Sequence, residues 1–163
     1  MHTPEIESMQ KLTELVKDIQ IAMLTTVEAD GSLHSRPMGT QDIQQDTLWF
    51  FLKDDSRKAQ EVVRDPRVNV SYSDANTWVS VSGVATITRD QSKIDELWKE
   101  GLEAWFPDGK AEPHLALMQV QIHEAEYWDV TSSSMVRLFG YLKAKLTGEP
   151  HQCEFADPAV IQH

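Results

Sequence analysis

Residues 47–73 read T-L-W-F-F-L-K-D-D-S-R-K-A-Q-E-V-V-R-D-P-R-V-N-V-S-Y-S, and the order of elements within this stretch decides the fold. The aromatic run over 47–52 predicts one strand, and the alternation of apolar and polar residues over 67–73 predicts another. The segment 56–64 between them has the spacing of a short helix. Asp65-Pro66 ends this helix, because proline cannot continue it.

The predicted helix has an apolar face and a first turn rich in hydrogen-bond donors. Ser56 is a good N-cap, and Ala59, Val62 and Val63 are spaced as a buried stripe. A helix N-terminus presents free N–H groups and a partial positive charge, so it suits a phosphate group. The pair Arg57-Lys58 adds a guanidinium and an ammonium at the same end. This end of the helix is therefore a candidate phosphate site.

The charges around the helix allow a second interpretation. Basic residues are concentrated here although the protein is acidic, and they are Lys53, Arg57, Lys58, Arg64 and Arg67. Acidic residues are interleaved with them at positions 54, 55, 61 and 65. Charge pattern alone favours a solvated helix face on which these opposite charges pair. The phosphate site needs support from elsewhere in the chain.

The chain before this stretch predicts one helix and two strands. Residues 5–19 carry apolar side chains at helical spacing and predict an amphipathic helix that packs on a barrel. Residues 21–27 predict a buried strand. Residues 32–38 predict its partner after the turn Glu28-Ala29-Asp30-Gly31. Because this turn is short, the two strands are expected to be antiparallel.

The chain after this stretch predicts two more strands and two more helices. Residues 78–88 predict a long strand, in which Gly83 indicates a bulge or a sharp bend at a barrel corner. Residues 91–102 predict a helix, and residues 117–130 predict the last strand. Residues 134–148 predict a final helix that ends at a glycine.

These elements amount to about six strands, with helices at the start, middle and end. Short turns between most strands favour an antiparallel barrel over a parallel sheet. The predicted fold is therefore mainly β with flanking helices, in a single domain over residues 1–150. Residues 151–163 are predicted to form a loose C-terminal tail, which contains Cys153, the only cysteine.

The composition limits the classes of function. The chain has 163 residues, 40% of them apolar, and a formal net charge of −11. This acidic balance argues against binding to nucleic acid, which needs a basic face, and against attraction to anionic membranes. The apolar runs are far too short to span a bilayer, and the first residues lack a secretory signal pattern. A lone cysteine suits a reducing compartment, so we expect a cytoplasmic protein.

A second candidate site lies on the second predicted strand, in the run His34-Ser35-Arg36-Pro37-Met38. On a strand, the side chains of His34, Arg36 and Met38 share a face. Pro37 removes a backbone donor, which is tolerated at a sheet edge or where a strand meets something other than a strand. Such backbone is free to contact a flat ligand, and the alternative interpretation is an ordinary edge strand.

Aromatic residues form a third candidate set, the tryptophans Trp49, Trp78, Trp98, Trp105 and Trp128. Trp98 falls on the inward face of its predicted helix and is expected in the core. Trp105-Phe106-Pro107 lies in an irregular segment, where aromatic residues often cover a ligand or fill an interface. The histidines show no metal spacing, and H-E-x-x-H, P-loop, G-x-S-x-G and G-x-G-x-x-G motifs are absent from the sequence.

The order of six short segments resembles a known family. They follow one another over residues 35–129, within a match of about residues 8–148, as S-R-P-M, L-W-F-F-L, S-R-K-A, D-P-R-V-N-V-S-Y, V-S-V-S-G-V-A and A-E-Y-W-D. Together they resemble the pyridoxamine 5′-phosphate oxidase-like superfamily, and most of all its general stress protein branch. The resemblance implies a split β-barrel, a homodimer, and FMN sites at the dimer interface that are built from both chains.

The resemblance also implies which residues bind the cofactor. They are Arg36, Pro37, Met38, Phe50, Phe51, Leu52, Ser56, Arg57, Lys58, Trp78, Trp105 and Trp128. The first three would run along the isoalloxazine edge, with Arg36 also reaching toward the phosphate, and the next three would supply backbone contacts. Ser56-Arg57-Lys58 would hold the phosphate. Trp105 and Trp128 would approach the flavin from the partner chain, and Trp78 stands where the family's oxidases carry a polar residue.

One departure from the family pattern concerns the reaction. True pyridoxamine phosphate oxidases end with R-L-H-D-R, which grips the substrate phosphate and contacts the flavin. The matching stretch here is Arg137-Leu138-Phe139-Gly140-Tyr141, which keeps only the first two residues. We therefore expect vitamin B6 oxidase activity to be absent or weak. Catalytic residues stay unknown, since no side chain stands out as a general acid or base.

Several functions fit this pattern. The leading one is an FMN-binding, dimeric general stress protein that acts as an oxidoreductase with NAD(P)H or another small-molecule reductant. The second is a flavin-binding or sensing module without turnover. A third keeps the barrel and changes the ligand, either to haem with His34 as axial ligand or to a deazaflavin, whose polyanionic tail the acidic surface disfavours. A fourth is an interaction protein with an empty barrel.

Overall fold

The computed structural model describes residues 3–129 and 132–139, with side chains over residues 7–128. The elements in chain order are α1 (Thr3–Val16), β1 (Ile21–Val27), β2 (Leu33–Gln44), β3 (Thr47–Lys53), α2 (Arg57–Arg64), β4 (Arg67–Ser73), β5 (Thr77–Thr88), α3 (Gln91–Leu97), β6 (Leu115–Asp129) and β7 (Ser132–Phe139). Two short 3₁₀ turns, Leu102–Ala104 and Gly109–Ala111, lie between α3 and β6. Within the described residues, no helix has the length and apolar character that crossing a membrane requires.

The described strands form one antiparallel sheet in the order β3-β2-β1-β4-β5-β6-β7. β3 also pairs with β6, from Thr47 opposite Gln121 to Lys53 opposite Leu115. This second pairing closes six of the strands into a barrel. The prediction of a mainly β fold with flanking helices and about six antiparallel barrel strands is therefore confirmed.

Alternate residues of each strand fill the barrel, as the period of a strand requires. Tyr72 on β4, Phe50 on β3 and Val81 on β5 are fully buried in this core. α1 packs against it through Leu12 and Val16, as the helical spacing predicts, although the helix ends at Val16 rather than at residue 19. The β1 strand is buried on one face only, since its alternate residues are exposed.

A smaller apolar cluster lies outside the barrel, where α3 and the segment after it cover β3. Phe51 packs edge-on against Trp98 and Phe106, with ring centroids 5.4 Å and 6.3 Å away. The predicted helix over 91–102 is shorter than expected, because it ends at Leu97 and the chain turns at Gly101 with a left-handed φ of 95°. This turn directs the following segment back across β3.

The predicted irregularity at Gly83 is confirmed. Ser82 lies opposite Glu124 and Gly83 lies opposite Ile122, so His123 is an extra residue on β6. The two backbones approach so closely that a Cβ at position 83 would lie 2.0 Å from the carbonyl oxygen of Gln121. Only glycine fits this corner of the barrel.

The predicted final helix over 134–148 is wrong for residues 134–139, which form β7. β6 is long, and its first half pairs with β3 while its second half pairs with β7, from Ala125 opposite Phe139 to Asp129 opposite Ser132. The second half of β6 would otherwise present an open edge, and pairing it outweighs the helical spacing of the apolar residues. Residues 140–148 and the predicted tail over 151–163 lie outside the described residues.

Candidate functional site

A cleft opens where β2 and β3 separate. The two strands pair only between Thr40–Gln44 and Thr47–Phe50. Pro37 lies on the part of β2 that β3 does not reach, and proline has no N–H with which to extend a ladder. The space between the diverging strands is a cleft of about 530 Å³, which falls in the size range of small-molecule sites.

The walls of the cleft are mainly apolar. Pro37, Met38 and Gly39 of β2 form one wall, and Phe51 and Leu52 of β3 form the other. The β2 wall has no strand partner on the cleft side, so its backbone is available to a ligand. Such walls suit a planar ring system.

The first turn of α2 forms the polar end of the cleft. Ser56 is the N-cap, and its hydroxyl accepts a hydrogen bond from the Ala59 N–H at 3.4 Å. The opening N–H groups of any helix lack an intrahelical acceptor, so those of Arg57 and Lys58 are open to a ligand. The sequence prediction of a helix over 56–64 with Ser56 as its cap is confirmed.

Lys58 is half-buried in the wall of the cleft and forms no ion pair with any residue that the structure describes. Burial, and then the nearby charge of Arg36, lower the pKa of the Lys58 ammonium below its ordinary value. Asp55 also lines the cleft, but its carboxylate lies 3.6 Å from His114 Nε2. An unpaired ammonium at the end of an apolar cleft is suited to an anionic group.

Arg36 and Arg57, in contrast, are both engaged by a buried carboxylate. Glu61 Oε2 accepts from Arg36 Nη2 at 2.8 Å, and Glu61 Oε1 accepts from Arg57 Nε at 3.0 Å. Thr26 on β1 donates to the same carboxylate, and Arg57 also pairs with Glu28. This network, Thr26–Arg36–Arg57–Glu61, fastens α2 to β1 and β2.

Glu61 is buried although it is charged. Burial opposes its ionisation, but hydrogen bonds from Thr26 and Arg36 and the charges of Arg36 and Arg57 outweigh that effect and lower the pKa of Glu61. The predicted buried stripe of α2 is wrong at Val63, which is 77% exposed. Glu61 is buried on the inward face instead, because Arg36 of β2 and Arg57 of the same helix neutralise its charge.

Trp105 also lines the cleft, on the segment that turns back across β3. Its side chain is 75% exposed, whereas that of the next residue, Phe106, is buried against Phe51. Both Trp105 and Phe106 line the cleft of their own chain. The buried Phe106 therefore holds the backbone in place, and Trp105 presents an exposed indole at the cleft.

The cleft brings together a majority of the predicted cofactor residues, namely Pro37, Met38, Phe51, Leu52, Ser56, Lys58 and Trp105. The other five lie elsewhere. Phe50 points into the barrel core, Arg36 and Arg57 bind Glu61, and Trp78 lies opposite Trp128 across β5 and β6.

Several cleft residues were not singled out from the sequence. Gly39 and Gln41 follow the quoted motif on β2, which continues to Gln44 rather than ending at residue 38. Leu102 lies on a 3₁₀ turn, whereas the sequence predicted that it would end an α-helix. The i,i+4 spacing of Arg57 and Glu61 was a signal for the buried network, although spacing alone does not indicate burial. His34, considered as an axial haem ligand, does not line the cleft, and its Nδ1 lies 3.2 Å from Glu28 Oε1 and 3.0 Å from Arg36 Nη2.

The closed barrel, the split between β2 and β3 and the cleft at that split define the class of split-barrel proteins. Comparison with known proteins is consistent with this class. The chain belongs to the family described as "Pyridoxamine 5'-phosphate oxidase like", whose sequence model matches residues 7–152. The resemblance noted from the short motifs is thereby confirmed.

Individual relatives agree with the family. Protein bli-3 of Neurospora crassa is 25% identical over 160 residues, which span 90% of this chain and 77% of the relative. A general stress FMN/FAD binding protein from Xanthomonas citri is 28% identical, with a TM-score of 0.66 over 80% of this chain and 94% of that chain. A Clostridium acetobutylicum protein related to general stress protein 26 superposes with a TM-score of 0.69 over 80% and 94% of the two chains, and at 17% identity it shows the fold alone.

Proposed function

We propose that this chain binds FMN in the cleft between β2 and β3 and acts as a flavin-dependent oxidoreductase. The observation that carries the proposal is Lys58, a half-buried ammonium at the end of an apolar cleft that pairs with no described carboxylate. A phosphate monoester would supply the missing negative charge. The flavin bound by the X. citri relative supports this ligand class.

The residues present fit FMN along the length of the cleft. Ser56, Lys58 and the first N–H groups of α2 would hold the phosphate. The backbone over 37–39 would lie along the ring system, with Phe51 in the opposite wall. Bound there, the isoalloxazine supplies the electron-transfer chemistry, and the protein binds, orients and shields it. Arg57 would act indirectly, because it holds Glu61 and so fixes α2.

Binding of FMN is tested with the purified protein. We expect it to carry or take up FMN, seen as flavin absorbance that is released on denaturation. Replacing Lys58 by methionine removes the charge at similar length and should weaken FMN binding by about 1–3 kcal/mol, the range for a lost charge-assisted contact. Lys110→Met is the matched control, since Lys110 pairs with Asp95 outside the cleft and should bind FMN normally.

Two results would overturn this part of the proposal. A colourless protein that takes up no added FMN would exclude the ligand. Unchanged FMN affinity in Lys58→Met would show that the phosphate binds elsewhere.

Reduction of the bound flavin is tested by a separate measurement. Rapid bleaching of bound flavin on anaerobic mixing with NADH or NADPH would support an oxidoreductase, whereas no bleaching would leave a flavin-binding module. We propose further that pyridoxamine phosphate oxidase activity is absent, because β7 carries Arg137 and Leu138 without the histidine and second arginine of the oxidase signature. Steady-state oxidation of that substrate is the direct measurement.

We also propose that the working unit is a homodimer. Large apolar side chains are exposed on neighbouring strands, among them Ile21 and Met23 of β1 and Leu33 of β2. Met23 lies opposite Pro37, and Ile21 opposite Gly39, so these residues share one outward face of the sheet. Ile21 and Gly39 also line the cleft. A second chain on this face would therefore cover the apolar side chains and approach the ligand.

A further inference from the structure

A second chamber adjoins the cleft on the side away from Lys58. It measures about 610 Å³ and lies between the C-terminal end of α1, the middle of β2 and the segment 99–105. Ile21, Gly39 and Trp105 are among the residues that line both spaces. The two spaces are therefore neighbours that share a wall.

The chamber lies away from the polar end of the cleft, and this position limits which part of a bound FMN it can adjoin. Residues 53–58, which form the polar end, are absent from its lining. If the phosphate of FMN lies at Lys58, the ring system points toward the shared wall. A molecule in the second chamber would then sit beside the ring and not beside the phosphate.

Trp105 is the main apolar surface of the shared wall. Its indole is 75% exposed, yet its backbone is anchored by Phe106, which is buried against Phe51 and Trp98. An exposed indole is a stacking surface for a planar ring, since aromatic faces prefer offset contact with one another. The buried side chains of Val16 and Ile19 add apolar contact on the opposite side.

The polar groups of the chamber include the ammonium groups of Lys17 and Lys99 and the carboxylates of Asp42 and Glu100. Lys99 Nζ donates to the Gln41 carbonyl oxygen at 2.7 Å, which leaves N–H groups of its ammonium to spare. The Asp42 carboxylate already accepts from the Ile43 N–H and from Gln44 Nε2. Lys17 lines the chamber too, and Glu100 is the opposing charge at its exposed rim. The spare N–H groups of Lys99 suit a ligand that carries an acceptor.

We propose that the second chamber binds a planar aromatic molecule with a carboxylate or carbonyl group, stacked on Trp105 with its acceptor at Lys99. This proposal rests on the proposed function, because it places a second reactant of this class beside a bound flavin ring. The chamber itself is built from residues other than those that would hold the phosphate. The two ideas can therefore fail separately.

The test uses 2-naphthoate, a planar carboxylate that does not react with flavin, as the probe. Calorimetric titration of the protein saturated with FMN should detect its binding, and Lys99→Met and Trp105→Ala should each weaken it by about tenfold. The two lysines provide a reciprocal control. Lys58→Met should weaken FMN and leave 2-naphthoate unchanged, whereas Lys99→Met should do the reverse.

The possible outcomes test the second chamber and the proposed function separately. Binding of 2-naphthoate with the expected losses supports the chamber, even in a protein that takes up no FMN, in which case only the proposed function fails. Mutual exclusion of FMN and 2-naphthoate would overturn the inference, because both would then occupy the first cleft. So would absence of binding, or an affinity that neither Lys99→Met nor Trp105→Ala changes.

Discussion

Arg57 and Lys58 are neighbours in sequence and have different tasks in the structure. Arg57 points toward Glu28 and Glu61, while Lys58 lines the cleft. Successive residues of a helix lie about 100° apart around its axis, so two adjacent cations cannot share a direction. The arginine is held in an ion-pair network, and the lysine forms no ion pair with the described residues.

The lowered pKa of Lys58 predicts a pH dependence of FMN binding. The ligand phosphate needs the charged ammonium, and this ammonium loses its proton at a lower pH than an ordinary lysine. Affinity should therefore be highest at neutral pH and fall as the pH rises through the pKa of Lys58 in the free protein. Titrations at increasing pH test this, with Lys58→Met as the reference for ionisation of the flavin itself. An identical pH profile in the variant would contradict the assignment.

Glu61 predicts a large effect on stability. Glu61→Gln leaves Arg36, which is nearly buried, without its counter-charge, and we expect a loss of about 3–5 kcal/mol. The exposed side of Arg57 keeps this loss near the lower figure, since water solvates that guanidinium. Urea denaturation at neutral pH measures it. Glu14→Gln is the control on an exposed face of α1 and should change stability by less than about 0.5 kcal/mol.

The same carboxylate contributes to the acid sensitivity of the fold. Its pKa is lower in the folded than in the unfolded chain, so its stabilisation is present above the unfolded pKa. It is lost as the pH falls through the folded pKa. The difference in stability between the wild-type protein and Glu61→Gln should accordingly shrink in acid, and a constant difference would argue against the ion pairs.

At the scale of elements, the cleft results from where strand pairing stops. β2 and β3 pair near their connecting turn, from Gln44 back to Thr40 on β2. Farther from the turn the two strands diverge, so Pro37 has no partner on β3. β3 instead pairs with β6 along its whole length, which keeps the barrel closed despite the split. A strand pair that ends early thus creates a site without opening the core.

Gly83 gives a prediction at the same scale. Gly83→Ala places a Cβ at 2.0 Å from a backbone oxygen of β6, which forces the two strands apart. We expect a loss of at least about 3 kcal/mol, seen as a lower midpoint in urea unfolding. Gly39→Ala is a matched control in another strand, because its nearest neighbour would lie at 3.6 Å, and it should cost less than about 1 kcal/mol. Equal losses would show that the close approach is unimportant.

For the whole molecule, the exposed apolar face allows a test of the proposed homodimer. Met23→Arg should shift the protein toward monomer in sedimentation velocity, because a buried, unpaired guanidinium is costly at an apolar interface. It should also weaken FMN binding if both chains build the site. Val63→Arg, equally charged and on the exposed side of α2, should change neither property. A dimer that survives Met23→Arg would place the interface elsewhere.

Much of this architecture was predictable from the chain. The strand at 67–73, the capped helix at 56–64 and the irregularity at Gly83 follow from local periodicity, capping and glycine chemistry. β7 was mistaken for a helix, because Met135, Leu138 and Phe139 recur at helical spacing and only the free half of β6 favours a strand. Long-range pairing is invisible to a local pattern.

Sequence alone determined the class of barrel, the family resemblance and the short helix capped by Ser56, since these depend on local order and on residue type. Tertiary structure alone decided that Lys58 faces the cleft while Arg57 does not, and that Glu61 is buried. It also brought Trp105 to the cleft. The physical reason is that direction and burial depend on neighbours far along the chain, such as Thr26, Arg36 and Phe51, which no local pattern specifies.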